Sequence, residues 1–523
     1  MYLAGCTVGP DYRAPDPPAV AQWKDQAAQG ILADQKSDPD PTWWRSFDDP
    51  ILTELIEKGT KNNLDVLQAV VRVLEARQSI VTARAAGLPT LSGNASYSRE
   101  QLGAKGILES KGAYQDLNTL ANRLKPLDAT VPGLSTDIVN GGTQALNQLT
   151  APSNLFQYGL DASWELDLFG RVRRSVEQAR AQSQAQSEAL NDALIVLESE
   201  IVQSYVQLRG AQALKASQEE SVKAAEENLA LTRRRQQNGL TTELDVDQAR
   251  TQLDDTRRQL PANDGQVQQA MNALSVLIGD APGAVDEQLR QAKPVPPIPT
   301  VVGVGVPSAL ARRRPDIRQA EANLHAATAN VGVAVASFYP DISLTGNIGM
   351  RAVDASYLTN WASHFYTAGP AVSLPIFSGG RLTAGLTLAR AEQKEAALNY
   401  RATVLNALRE VEDALVTYRV DRASRDLLQD TLDSAQLTWD LARNQYHYGL
   451  ASFINVLNAQ TTVLADRQAL VQANVQLVDD IVSLYRALGG GWEKTLQELP
   501  NPDVSTTPPP LPGALDWVAD PDS

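Results

Sequence analysis

Two long runs of helix-compatible residues constrain this chain more than anything else in it. Residues 171–238 contain no proline and end at Gly239-Leu240; residues 381–448 contain none either and end at Gly449-Leu450. At about 1.5 Å of rise per residue, each run makes a rod of roughly 100 Å, longer than a compact domain needs. The surroundings repeat as well. Leu64-Asp65-Val66-Leu67-Gln68-Ala69 is echoed by Pro315-Asp316-Ile317-Arg318-Gln319-Ala320, and Leu88-Pro89 by Tyr339-Pro340, at one constant separation. Leu166-x-x-Phe169 and Leu374-x-x-Phe377, like the two Gly-Leu pairs, recur at a shorter separation. The chain is therefore a tandem duplication with one insertion in its first copy, between Pro89 and Phe169. Its 523 residues are expected to form one elongated architecture built twice, not a string of domains.

Beside the helical runs, the apolar period drops to two. Phe156, Tyr158, Leu160, Ala162, Trp164, Leu166 and Leu168 alternate with Gln157, Gly159, Asp161, Ser163, Glu165 and Asp167. Leu91, Gly93, Ala95 and Tyr97 begin a similar strand, and the second copy supplies Ile342, Leu344, Gly346, Ile348, Met350 and Tyr366, Ala368, Val372, Leu374, Ile376. A soluble sheet with one buried face gives the same alternation. Recurrence, length and aromatics toward the strand ends favour a strand with lipid on one side and water on the other. No apolar run approaches the eighteen or so residues of a spanning helix, so a membrane crossing has to use strands.

The remaining segments read as follows. Residues 7–50 form an extended arm whose Trp43, Trp44 and Phe47 are pinned to something. Helices are expected over 51–86, 242–279 with a kink at Pro261, 315–337 and 452–488, Thr241 or Thr242 capping the second of them. Residues 99–153 read as a long external loop. The organisation is thus a lipid-anchor arm over 1–50, a first repeat over 51–279, a Pro- and Val-rich equatorial linker over 280–307, a second repeat over 308–488, and a C-terminal equatorial segment with a disordered tail over 489–523. The two shorter helices of a repeat together match its long one, so they are expected to stack beside it. That arrangement places the strands at one end and the Gly-Leu turns at the other.

Four strands cannot close a barrel, and lipid does not tolerate open edges, so the wall has to be shared among subunits. Two copies give an eight-stranded barrel filled by its own side chains; three give twelve strands and an open lumen. The fold class expected is mainly α with a small β part: a trimeric 12-stranded outer-membrane β-barrel, a 12-column periplasmic α-helical barrel and a mixed equatorial belt.

The Trp43-Trp44-x-x-Phe47-x-Asp49-Pro50 arm, the Leu166-Asp167-Leu168-Phe169-Gly170-Arg171 junction, and the Gly-Leu turns followed by Asp245-Val246-x-Gln248-Ala249 and Asn455-Val456-Leu457-Asn458-Ala459-Gln460 resemble the TolC and OprM outer-membrane efflux channels. Cys6, after Leu3-Ala4-Gly5 and before Thr7-Val8-Gly9-Pro10-Asp11-Tyr12, is similar to the lipidation site of the NodT branch, although the charged and apolar parts of a signal peptide do not precede it. The resemblance implies a homotrimeric duct in outer-membrane lipid and periplasm, with a periplasmic adaptor (membrane fusion) protein and an inner-membrane pump of RND type, exporting drugs or other small toxic compounds. It implies no cofactor beyond a covalent lipid on Cys6. It places adaptor docking at Gly239, Leu240, Thr241, Gly449, Leu450 and Ser452, and a closed gate at Ile454, Asn455 and Asn458, with Asp245 and Tyr446 beside it. Relatives often carry Asp where this chain has Asn455 or Asn458, so a constriction by Ile454 and amides is expected in place of an acidic ring. The barrel's lipid face takes Phe156, Tyr158, Trp164, Leu166, Ile342 and Leu344.

Other chemistry finds little support. His325, His364 and His447 are far apart in the chain without metal-ligand spacing, and Gly303-Val304-Gly305 lacks a strand-helix phosphate context. A net charge of -15 argues against a nucleic-acid surface. A coiled-coil envelope scaffold accounts for the long helices but has no need of four alternating strands.

Overall fold

A computed structural model describes residues 7–15, 23–24, 40–101, 103–299, 302–304 and 307–492. Its helices and strands run α1 (Pro50–Asn62), α2 (Leu64–Ala85), β1 (Thr90–Glu100), α3 (Ala104–Ser110), α4 (Ala113–Leu124), α5 (Leu134–Thr150), β2 (Ser153–Glu165), α6 (Arg171–Gln237), α7 (Glu243–Arg258), α8 (Leu260–Leu277), α9 (Asp286–Leu289), α10 (Pro307–Arg313), α11 (Pro315–Ala336), β3 (Asp341–Ala352), β4 (His364–Ser373), α12 (Arg381–His447) and α13 (Phe453–Leu488). The two proline-free runs are single helices of 67 residues each. Cys6 and residues 493–523, the expected tail, lie outside the described residues.

The chain divides into two units. One comprises residues 1–9, 81–176 and 332–386, and the other residues 10–80, 177–331 and 387–523. In the first, the four strands make one antiparallel sheet in the order β1-β2-β3-β4. β2 ends at Glu165, short of the expected Leu168. The Leu166 N–H continues the ladder by one bond to the Ile342 carbonyl, 2.8 Å. Asp167 serves the helix instead of the strand. Its carboxylate accepts from the Val172 and Arg173 N–H groups at 3.2 and 3.0 Å, satisfying donors that the first turn of α6 leaves free. Likewise β4 stops at Ser373, leaving Leu374 and Ile376 beyond the strand.

Residues 99–153 are not the irregular loop expected. β1 continues to Glu100, and α3, α4 and α5 follow. Glycines that read as loop serve packing and caps. Gly112 and Gly133 precede α4 and α5 with φ of 76° and 90°. Gly142 lies inside α5 because a Cβ there would meet Leu117 Cδ2 at 2.7 Å.

The second unit holds the main hydrophobic core. The expected arm is not extended at its aromatics: Trp43–Phe47 is a short 3-10 helix, all three rings are buried, and Trp43 stacks on Tyr485 of α13 at 4.9 Å. Asp49 caps α1 by accepting from the Ile51 N–H at 2.9 Å, and accepts the Tyr205 hydroxyl at 2.5 Å. Arg209, fully buried in α6, donates to the Tyr205 oxygen, to Gln212 and to the Gln291 carbonyl at 2.9, 2.7 and 2.9 Å. Gln212 donates to the Leu289 carbonyl at 2.7 Å. Through this network the arm and the linker are both fastened to α6, with most of the desolvated polar groups paired. Leu289, Val302 and Val304 of the linker are themselves buried.

The helix expected over 51–86 breaks at Asn63, which is extended. Its Oδ1 accepts from the Asp65 and Val66 N–H groups while its Nδ2 donates to the Leu277 carbonyl at the end of α8, 3.0 Å. The second copy has the same joint in different residues. Arg314 separates α10 from α11, and its Nη1 donates to the Ala487 carbonyl near the end of α13, 2.8 Å. Gly279 and Gly489 follow α8 and α13 with φ of 78° and 69°, pressed against Asn62 and Arg314 respectively. The kink expected at Pro261 is an interruption at Gln259, just before Pro261, which sits in the first turn of α8. Thr242 occupies the N-cap position of α7 without a side-chain bond; the Thr241 hydroxyl donates instead to Asp245.

Two outcomes follow from these packed positions. A Cβ at Gly279 would lie 2.4 Å from the Asn62 carbonyl oxygen in a left-handed backbone, so Gly279→Ala is expected to cost at least about 1–2 kcal/mol, read as a lower melting temperature by circular dichroism in detergent. Burial, together with Asp480 beside it, pushes the Asp479 carboxyl up to about 7, and burial with Asp421 nearby pushes Asp480 up to about 6. A raised carboxyl pKa contributes stability that is complete below pH 4 and is lost as pH climbs through 6 and 7. Asp479→Asn should therefore raise thermal stability at pH 8 and leave it nearly unchanged at pH 4.

Candidate functional site

The strand pairing brings each apolar set onto one side of the sheet. Tyr97 opposes Phe156 and Leu91 opposes Ala162; Leu160 opposes Ile348 and Trp164 opposes Leu344; Ile348 opposes Tyr366 and Ile342 opposes Val372. This side is bare: Leu344 is 45% exposed, Ile348 57% and Tyr366 73%. On the other side Ser92 opposes Asp161, Gln157 opposes Arg351, and Ser163 opposes Thr345. Where β2 and β3 cross closest, two glycines face each other, and a Cβ on Gly349 would lie 2.2 Å from the Tyr158 carbonyl oxygen. Of the six residues assigned to the lipid face, Phe156, Tyr158, Trp164, Ile342 and Leu344 lie within strands, and Leu166 lies one residue past β2. The Trp164 indole donates to the Gly87 carbonyl at 3.0 Å, fixing the ring beside the turn after α2. Thr7–Gly9 lies along the β2–α6 junction. The Val8 N–H donates to the Phe169 carbonyl at 3.2 Å, Arg174 Nε donates to the Val8 carbonyl at 3.3 Å, and Gly9 packs on Gly332.

In the helical unit, the two Gly-Leu turns are the same object built twice. Leu240 N–H donates to Arg235 O and Gly239 N–H to Gln236 O, at 2.8 and 2.9 Å; Leu450 N–H donates to Gln445 O and Gly449 N–H to Tyr446 O, at 2.8 and 3.0 Å. Both are Schellman caps, which require a left-handed residue; Gly239 and Gly449 supply it with φ of 68° and 78°. Leu240 and Leu450 are 64% and 78% exposed. Behind them a small core joins the hairpins, made of Ala225, Leu229, Ala249, Leu253, Tyr446, Phe453 and Val456.

The gate candidates separate in two groups. Phe453 and Val456 turn one side of α13 into that core, while Ile454, Asn455 and Asn458 are exposed on the other. Tyr446 is not on that exposed side: it is 3% exposed, 5.2 Å from the Phe453 ring, and stacked under the Arg235 guanidinium at 4.6 Å. Asp245 is half-buried and held by Thr241 in its own hairpin. Ser452 stands at the N-cap position of α13 without a side-chain bond. Sequence reasoning gave Arg235 no functional role; its partners, two main-chain carbonyls on another helix and the Tyr446 ring, leave no linear pattern to find.

A sheet with its apolar side bared, in one chain with long paired hairpins, is the build of an outer-membrane channel subunit. Residues 55–280 and 306–490 match the profile of the outer membrane efflux protein family, and the chain belongs to that family. It is 31% identical over 501 residues to the cation efflux system protein CusC of Escherichia coli O6:H1, covering 94% of this chain and 97% of that protein. It is 31% identical over 516 residues to the antibiotic efflux pump outer membrane protein ArpC of Pseudomonas putida, covering 97% of each. Among solved structures, the outer-membrane channel OprN matches with a TM-score of 0.79 at 31% identity, over 93% of this chain and 100% of that one. The protein is an efflux channel component of the outer membrane.

The two sides of the sheet should respond oppositely to charge. Leu344→Lys places a cation on the apolar side at a cost of about 2–4 kcal/mol in lipid and should abolish recovery from the outer-membrane fraction. Thr345→Lys, one residue along on the polar side, should leave that recovery unchanged.

Proposed function

We propose that three copies close their sheets into a twelve-stranded barrel and their helical units into a duct. The observation that carries this reading is the open sheet, apolar on a bare side and unpaired along β1 and β4. With four antiparallel strands, β4 of one copy and β1 of the next run in opposite directions, so their union continues the same ladder. Three copies are the fewest that leave a lumen. Cys6 carries a lipid that anchors the N-terminus; the seating of Thr7–Gly9 against the β2–α6 junction supports an attachment at the membrane side.

Gly239, Leu240, Thr241, Gly449, Leu450 and Ser452 form the surface that docks a periplasmic adaptor. Two exposed leucines on rigid turns are an inexpensive way to offer apolar area, since little backbone freedom is lost on docking. Ile454, Asn455 and Asn458 form the constriction, and Asp245 and Tyr446 shape the hairpins that carry it. An inner-membrane pump of RND type supplies the driving force and selects the cargo, drugs and other small toxic compounds. Equal 31% identity to a cation system and to an antibiotic pump supports a duct that does not itself discriminate.

Chemical cross-linking and mass measurement in mild detergent should give trimers; isolated subunits would overturn the assembly. In planar bilayers, Ile454→Gly combined with Asn458→Ser should raise single-channel conductance, and unaltered conductance from intact trimers would remove the gate from these positions.

A further inference from the structure

The strand order that leaves β1 and β4 at the sheet's edges also decides what stands beside those edges. α6 and α12 follow β2 and β4 at one end of the strands. At the other end, β1 leads into α3, and a short 3-10 turn at Trp361–Ser363 leads into β4. Residues 101–103 alone separate β1 from α3, a reach of roughly 14 Å at most, and Trp361–Ser363 abuts His364 directly. The α3–α5 module is thus tethered to one edge of the sheet and the β3–β4 connection to the other, with β2 and β3 between them.

Both segments carry apolar side chains that their own copy leaves bare. Among the described residues of α3–α5 and its turns, only Ala121, Ser135 and Thr150 are buried, while Ile107, Leu120, Leu127 and Val131 are exposed. A helical module this small, with so thin a core, depends on cover from elsewhere. Its charges cancel: Lys105, Lys111, Arg123 and Lys125 stand against Glu109, Asp116, Asp128 and Asp137, so the chain's net charge of -15 lies outside it. The β3–β4 connection, residues 353–363, holds one charge, Asp354, and exposes Val353, Tyr357 and Trp361, the last at 73%. It is nonetheless fixed in shape. Asp354 accepts from the Ser356 N–H and Asn360 from the Ala362 N–H, both at 2.9 Å, the Ser363 hydroxyl donates to the Tyr357 carbonyl at 2.8 Å, and the His364 ring stacks on Trp361 at 4.7 Å. An exposed indole on a rigid frame loses little freedom when it is covered.

We propose that the α3–α5 module of one copy clasps the β3–β4 connection of the next, with Trp361 as the anchor, and so locks the seam between subunits beyond the ends of the strands. Within one copy the two segments sit three strand spacings apart, about 14 Å; when β1 of one copy pairs with β4 of its neighbour, the strands that carry them are about 4.8 Å apart. A ring of aromatics in the lipid headgroups accounts for Trp361 alone. It leaves the bare apolar residues of α3–α5 without cover, and the clasp covers both sets at once.

This inference rests on the trimeric barrel proposed above, and the test separates the two. Two differently tagged forms of the full chain are expressed together, one with Trp361→Cys and the other with Ile107→Cys, Leu120→Cys, Leu127→Cys or Val131→Cys, and membranes are treated with a short bis-maleimide. A covalent pair carrying both tags is expected for at least one of the four, above the background of the wild-type chain, whose one cysteine is Cys6. Trp361→Ser should also lower the temperature at which the trimer comes apart in detergent, and Leu120→Ser with Leu127→Ser should lower it little further in that background, since both act on one contact. Tyr357→Cys takes the place of Trp361→Cys if the latter does not assemble. Trimers by lysine cross-linking with no mixed cysteine pair at any of the four positions overturn the clasp and leave the barrel standing; Trp361 then serves the lipid headgroups. A Trp361→Ser trimer as heat-stable as the wild type overturns it as well. If the wild-type chain gives no trimers, barrel and clasp fall together.

Discussion

The outer edges of β1 and β4 are the constraint on which the rest of the molecule turns. A row of N–H and C=O groups in lipid costs several kcal/mol for each unmet group. The apolar side of the sheet demands lipid, and the edges forbid it to a lone copy. The proposed assembly meets both demands, because strands from other copies complete the ladder. The duplication eases this, since an even number of strands lets the last strand of one copy and the first of the next pair antiparallel.

Within the helical unit, a different economy operates. Its long helices carry many Ala and Gln residues, and a few buried polar groups do the fastening. Arg209 ties α6 to the linker, Asn63 ties the α1–α2 break to α8, and Arg314 ties the α10–α11 break to α13. Arg314 is also held by Asp316 and Glu410 at 2.7 and 2.8 Å, so its buried charge is compensated. Such groups set where helices end and which carbonyls meet, a specification that interchangeable apolar contacts do not give.

How much of this was legible in the chain depended on whether the signal was periodic. The repeat, the two uninterrupted helices, the alternating strands and the Gly-Leu turns are all periodic or punctuated, and they stand in the structure nearly where the residues place them. The joint between the short helices was not legible, because Asn63 and Arg314 do the same work with unrelated side chains and no matching motif marks them. The helices of residues 104–150 were hidden by glycine: Gly142 reads as a loop former, yet it is there to admit Leu117. The chain position of Tyr446 sets it beside the proposed gate, whereas a close cation and the Phe453 ring draw it inward. Pairing between distant side chains and main chain leaves no trace that a linear reading can follow.

The break between α7 and α8 has no counterpart in the second copy, where α13 runs 36 residues without interruption. One half of the duplicated chain is thus articulated and the other is a stiff strut. The proline has no N–H to give, so the helical ladder of the first half lacks a rung that α13 keeps. Two segments that began as copies have come to divide compliance and leverage between them.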